Sequence, residues 1–132
     1  QELFMKHLAA AERLEKPVVL HVVKSFEDVM LTLSKYQLKG VVFHGFIGSK
    51  EQAARVIKQG YYLSFGDRSL RSPRTREVIA TIPIEKLFCE TDDNTEFSIE
   101  EIYQEVAALR AISHEELASE IEKNYRRLFD RK

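Results

Sequence analysis

The sequence predicts an α/β fold, a parallel sheet whose strands are joined and covered by helices. Three observations carry this. Short apolar runs alternate with amphipathic stretches from end to end, the pattern of βα units. The runs are nearly all apolar, as strands buried on both faces are. They begin about two dozen residues apart, room enough for a helical crossover between parallel neighbours.

The elements follow in order. Residues 2–15 read as a helix with Phe4, Leu8 and Ala11 on one stripe, and Pro17 ends it. Strand Val18–His21 comes next. Ser25 can cap the following helix, with Asp28 three residues on, and Phe26, Val29, Met30 and Leu33 form its buried face. Gly40 punctuates before strand Val41–His44. Beyond Gly45-Phe46-Ile47-Gly48, Ser49 and Gln52 form a capping box for a third helix lined by Ala53, Val56 and Ile57, and Gly60 suits the position past its end. Tyr61–Phe65 is aromatic-rich and reads as a strand. Ser72-Pro73 opens a short helix through Ala80. Pro83 precedes a fourth strand, Leu87–Asp92. Two capping boxes, Ser98 with Glu101 and Ser113 with Glu116, open the closing helices. Ile102, Tyr103, Val106 and Leu109 line the first, and Leu117, Ile121, Tyr125 and Leu128 the second.

The totals narrow the function classes. The 132 residues suit one domain. Apolar residues at 44% and charged residues at 31% are ordinary for a soluble globular protein. A net charge of -1 marks no general nucleic-acid affinity and leaves only local basic patches. The apolar runs fall far short of a membrane span. The start shows no basic segment followed by an apolar stretch, hence no secretion signal. With Cys89 alone there is no intrachain disulfide, which fits a reducing, cytoplasmic setting. Neither a G-x-G-x-x-G nor a P-loop is present, so a nucleotide-cofactor fold lacks support.

Three strands end in side chains that can bind metal: His21, His44, and the pair Glu90 and Asp92. Strand alternation puts Glu90 and Asp92 on one side. Parallel sheets place ligands at the carboxyl ends of their strands, open or closed, so two imidazoles and a carboxylate can converge there on one divalent cation. A metal-dependent hydrolase is the leading expectation. Four strands do not close a (β/α)8 barrel, which takes about 250 residues. The chain either supplies the second half of such a barrel or folds as an open sheet. The first alternative is favoured, since a lone half-barrel leaves strand edges unpaired; the missing initiator Met agrees, and the expected partner is an amino-terminal half that completes the site.

Lys16-Pro17-Val18-Val19-Leu20-His21, His44-Gly45-Phe46-Ile47-Gly48-Ser49 and Ile82-Pro83-Ile84-Glu85-Lys86-Leu87-Phe88-Cys89-Glu90-Thr91-Asp92 resemble three motifs of the TatD family of metal-dependent deoxyribonucleases. These are its lysine-proline-apolar-histidine strand, its H-C-F-T-G-S turn and its I-P-L-D-R-L-L-L-E-T-D strand. Asn124-Tyr125-Arg126-Arg127-Leu128-Phe129 is similar to its closing N-F-x-R-L-F. The resemblance spans nearly the whole chain. It implies a TIM-type (β/α)8 barrel of the metal-dependent hydrolase kind, of which this chain supplies roughly the second half. It also implies His21, His44 and Asp92 as metal ligands, Asp92 as a catalytic residue, and Mg, Mn or Zn as the cation. The implied reaction is hydrolysis of phosphodiester bonds in DNA. The family's H-x-H and a further Glu have no counterpart here, as expected of a second half. Val22 and Val23, Ile47, and Asp93-Asn94-Thr95 depart from the family's usual residues and bear on substrate identity more than on metal binding.

Each residue has a plainer alternative. Either histidine could be a buried imidazole held by a backbone carbonyl. Asp92 could cap the following loop; as a base it would take a proton from water that a cation has acidified. Glu90, one pleat deeper, could orient a ligand histidine or serve only in structural hydrogen bonding. Arg68, Arg71, Arg74 and Arg76 could grip phosphate or form a solvated loop; Lys24 and Lys50 carry a weaker version of the same signal. Phe46 could stack a base or simply pack. Cys89 reads as a small buried hydrophobe, and His7 and His114 as solvent-facing helix residues. Against the nuclease stand a catalytically degenerate barrel acting as a binding or scaffold protein, and hydrolysis of a small ester or amide.

Overall fold

A computed structural model describes residues 2–21, 26–38, 40–91 and 97–129. Its helices are α1 (Glu2–Leu14), α2 (Phe26–Leu33), α3 (Lys50–Lys58), α4 (Asp67–Leu70), α5 (Pro73–Thr81), α6 (Ile99–Arg110) and α7 (His114–Phe129). Its strands are β1 (Val18–His21), β2 (Val41–His44), β3 (Tyr62–Phe65) and β4 (Leu87–Cys89). The strands form one parallel sheet in the order β1-β2-β3-β4. Each strand returns through at least one helix, as parallel neighbours require. Among the described residues no helix is long and apolar enough to cross a membrane.

Local chemistry sets the helix starts. Ser49 accepts from the Gln52 N–H at 3.2 Å while the Gln52 side chain accepts from the Ser49 N–H at 3.0 Å. Ser98 and Glu101 exchange the same pair of bonds at 3.1 and 2.8 Å. Both are the capping boxes expected from the sequence. Pro73 occupies the first turn of α5 behind the Ser72 cap, where its missing N–H costs nothing.

The sheet has two unlike faces. Val18, Leu20, Val41, Phe43, Leu63, Phe65 and Leu87 join the main core with Leu8, Leu33, Val56, Ile79, Ile102 and Leu117 from the helices. The alternate residues Val42 and Tyr62 belong to a second, small cluster with Leu128 and, at its margin, Phe88. Tyr62 and Phe88 pack with ring centroids 5.5 Å apart. On this inner face the edge residue Val19 is 58% exposed. Burial of every strand on both faces therefore fails at β1, which has a neighbour on one side only.

Four sequence expectations shift. β3 begins at Tyr62 rather than Tyr61, and β4 ends at Cys89 rather than reaching Asp92; residues 92–96 lie outside the described part. Tyr125 is 53% exposed, its ring 4.6 Å from that of Phe129. The buried place on α7 goes to Asn124, whose Nδ2 donates to Ile84 O and Leu87 O, each at 2.8 Å. Glu90 N–H donates to Phe65 O on β3, so the alternate residue Leu87 turns its carbonyl to the open side of β4, and Asn124 satisfies it there. His114 is half-buried, its ring 5.5 Å from that of Tyr103, rather than facing solvent.

Candidate metal centre

The site is assembled at the carboxyl ends of the strands. His21 and His44 end β1 and β2 and are direct partners in register. The pairing of Val42 with Tyr62 carries on to set His44 level with Ser64. Residues of one parity share a face, so His44, Ser64 and Glu90 lie above Val42, Tyr62 and Phe88 on the inner face. The His21 side chain, Lys24 and Asp92 lie outside the described residues. Among the described residues no three His, Cys, Asp or Glu side chains form a cluster.

Glu90 and His44 do meet. His44 Nδ1 lies 3.1 Å from Glu90 Oε1, with the two side chains 32% and 11% exposed. The same oxygen accepts the Gly45 N–H at 2.9 Å. Gly45 sits at φ 65, a left-handed turn that costs glycine little and other residues about 1–2 kcal/mol. A carboxylate on Nδ1 selects the tautomer with its proton there and turns Nε2 away from Glu90. A neutral imidazole braced in this way is how metal-ligating histidines are held, so the donor chemistry of this corner fits a divalent cation.

Buried hydroxyls brace the rim loops. Ser69 accepts the Gly66 N–H at 3.2 Å and donates to Phe46 O at 2.7 Å. Thr75 accepts the Gly48 N–H at 3.0 Å and lies 3.2 Å from Gly48 O. Ser64 is 4% exposed. Sequence reading passed over Ser64, Gly66 and Ser69. The strand parity of Ser64 and the three-residue spacing of Gly66 and Ser69 were available as signals; their contacts with Phe46 and Glu90 are distant in sequence and gave none.

The other candidates scatter. Phe46 is buried with its ring edge-on to Phe65, centroids 6.1 Å apart, so it packs and presents no open face for a base. Arg71 grips the buried Asp67 at two points, 2.7 and 3.2 Å, which ties its guanidinium to α4. Arg76 donates to Leu70 O and faces Glu105. Arg68 and Arg74 are exposed, and Arg68 stands on α4 directly beyond the end of β3. Lys50 is 3.7 Å from Glu77. Burial, then the neighbouring Glu90 charge, pushes the Cys89 thiol up to about 12. That keeps it protonated and unsuited to act as a nucleophile.

Parallel βα units with a braced histidine at the strand ends make up roughly half of a TIM-type (β/α)8 barrel. The family model described as TatD related DNase matches residues 1–130, and the chain belongs to that family. It is 29% identical over 147 residues to YabD of Bacillus subtilis, named an uncharacterised metal-dependent hydrolase, covering 98% of this chain and 57% of YabD. It is 37% identical over 93 residues to the Schizosaccharomyces pombe deoxyribonuclease Tat-D, covering 67% of this chain and 30% of that protein. The crystal structure of the TatD homologue YjjV from Escherichia coli superposes with a TM-score of 0.87 at 28% identity, covering all of this chain and 57% of YjjV. The chain thus spans little more than half the length of the full-length relatives it matches.

Proposed function

We propose that the protein is a divalent-metal-dependent hydrolase that cleaves phosphodiester bonds in DNA. The observation that carries this reading is the His44–Glu90 contact of 3.1 Å at the end of β2, in a chain of the TatD-related family. In this reading His21, His44 and Asp92 hold the cation, His44 through the nitrogen that Glu90 does not engage. The cation would supply a water acidified enough to attack near neutral pH, and charge to offset that gathering on the phosphate. Asp92 accepts the proton of the attacking water. Glu90 keeps the His44 ring in one tautomer and one orientation. Arg68, exposed on the rim helix α4, holds a backbone phosphate of the substrate. An amino-terminal half-barrel supplies the remaining ligands.

The test uses the full-length protein and single-stranded DNA, with and without Mg²⁺ or Mn²⁺. Cleavage is expected only with the cation, and His44→Ala or Asp92→Ala should lower it at least a hundredfold. Cleavage that survives both substitutions rejects the mechanism. A wild-type protein that binds DNA without cutting it under any of these cations favours the scaffold reading.

A further inference from the structure

We infer that the turn Gly66–Ser69 between β3 and α4 is a positioning element for His44, acting on the imidazole through Glu90. The inference goes beyond the catalytic reading above and rests on it only where metal affinity is concerned. Gly66 lies against Glu90. A Cβ on Gly66 would sit 3.1 Å from Glu90 Cγ, 3.2 Å from Glu90 O and 3.4 Å from Glu90 Oε2. The first two are tighter than most such contacts, so Glu90 must give by a few tenths of an ångström to admit a methyl group. The backbone here is extended, with φ -134, so room rather than conformational freedom calls for glycine.

The glycine is held in place from the other side. Its N–H donates to Ser69 Oγ, and that hydroxyl donates to Phe46 O, in the loop that follows His44. Phe46 N–H in turn donates to Ser64 O on β3 at 2.9 Å. Glu90 N–H donates to Phe65 O, and its carboxylate takes the Gly45 N–H and faces His44 Nδ1. The contacts close a ring: His44 to Glu90, Glu90 to Gly66, Gly66 to Ser69, Ser69 to Phe46, and back along the chain to His44. Every link is buried or partly buried, where hydrogen bonds are strong and leaving one unmade is costly. The carboxylate therefore has one resting place, and the ring of His44 follows it. A methyl group on Gly66 pushes the carboxylate out of that place; loss of the Ser69 hydroxyl frees the turn to drift.

The experiment reads the imidazole itself. Nitrogen-resolved NMR of the metal-free, full-length protein, about two pH units above the ordinary imidazole pKa of ~6.5, reports the tautomer of His44; its signals are assigned by their loss in His44→Asn. The wild type should show the Nδ1–H form. Gly66→Ala, and independently Ser69→Ala should the first not fold, should give a mixture of tautomers. Thr75→Ala is the control. It removes the buried hydroxyl that braces Gly48 on the same rim without touching Glu90. It should lower stability and leave the His44 signals as in the wild type. Variants at 66 and 69 with an unchanged His44 spectrum, or a Thr75→Ala spectrum altered as much as theirs, would overturn the inference. Mn²⁺ affinity should fall about tenfold in Gly66→Ala, as it does when the partner of a ligand histidine is disturbed. A tautomer shift in a protein that binds no Mn²⁺ even as wild type would leave the positioning role standing and remove the catalytic reading.

Discussion

Glu90 concentrates several roles in one residue. Its backbone N–H extends the β4 ladder to Phe65, and one carboxylate oxygen serves both Gly45 and His44. Its charge also bears on Cys89, whose pKa is raised to about 12 by burial first and by Glu90 second. An ordinary thiol titrates near 8.5. The unfolded chain therefore releases this proton before the folded one does. The stability it contributes is fully present below pH ~8.5 and is lost as pH rises toward about 12. Denaturant unfolding at about pH 8 and pH 10.5 should show a loss in the wild type that Cys89→Ala reduces by on the order of 1–2 kcal/mol. Asn124 is the other residue with effects out of proportion to its size. Its amide supplies the carbonyls of Ile84 and Leu87, 40 and 37 residues away. Asn124→Ala strands both, and chemical denaturation should register a loss of roughly 2–4 kcal/mol.

At the scale of elements, what could be read from the sequence is what is settled within four residues. The boxes at Ser49–Gln52 and Ser98–Glu101 close as spacing predicts. Replacing Ser49 with alanine should cost about 1 kcal/mol, measurable as a lower midpoint in urea. α4 stayed hidden because its four residues, Asp67–Leu70, are too few to show a helical period, and its anchor is the carbonyl of Phe46. Tyr125 looked like the core residue of its turn because local pattern weighs apolarity. Asn124 took that place because two carbonyls waited for it from another element. The site divides along the same line. His44 and Glu90 stood out as polar ends of apolar strands, with Glu90 a candidate to orient a ligand histidine; which histidine it meets, and the approach of Gly66 to it, depend on register between strands.

Taken as a whole, the molecule is a sheet with one face in the main core and one that carries a smaller buried cluster and is exposed at its β1 edge. The helices bury one side. The inner side carries a small cluster at the lower end and the polar residues His44, Ser64 and Glu90 toward the upper one. This polarity along the strands is what a parallel sheet offers a ligand. If the upper end holds a cation in the folded state only, adding Mn²⁺ at about a hundred times its dissociation constant should raise stability by ~2.7 kcal/mol, and a chelator should reverse it. The most direct test is calorimetric titration of Mn²⁺ into metal-stripped, full-length protein, wild type against His44→Ala. Saturable binding that weakens at least tenfold on loss of the imidazole is the result predicted. Equal binding by the two proteins would contradict the account.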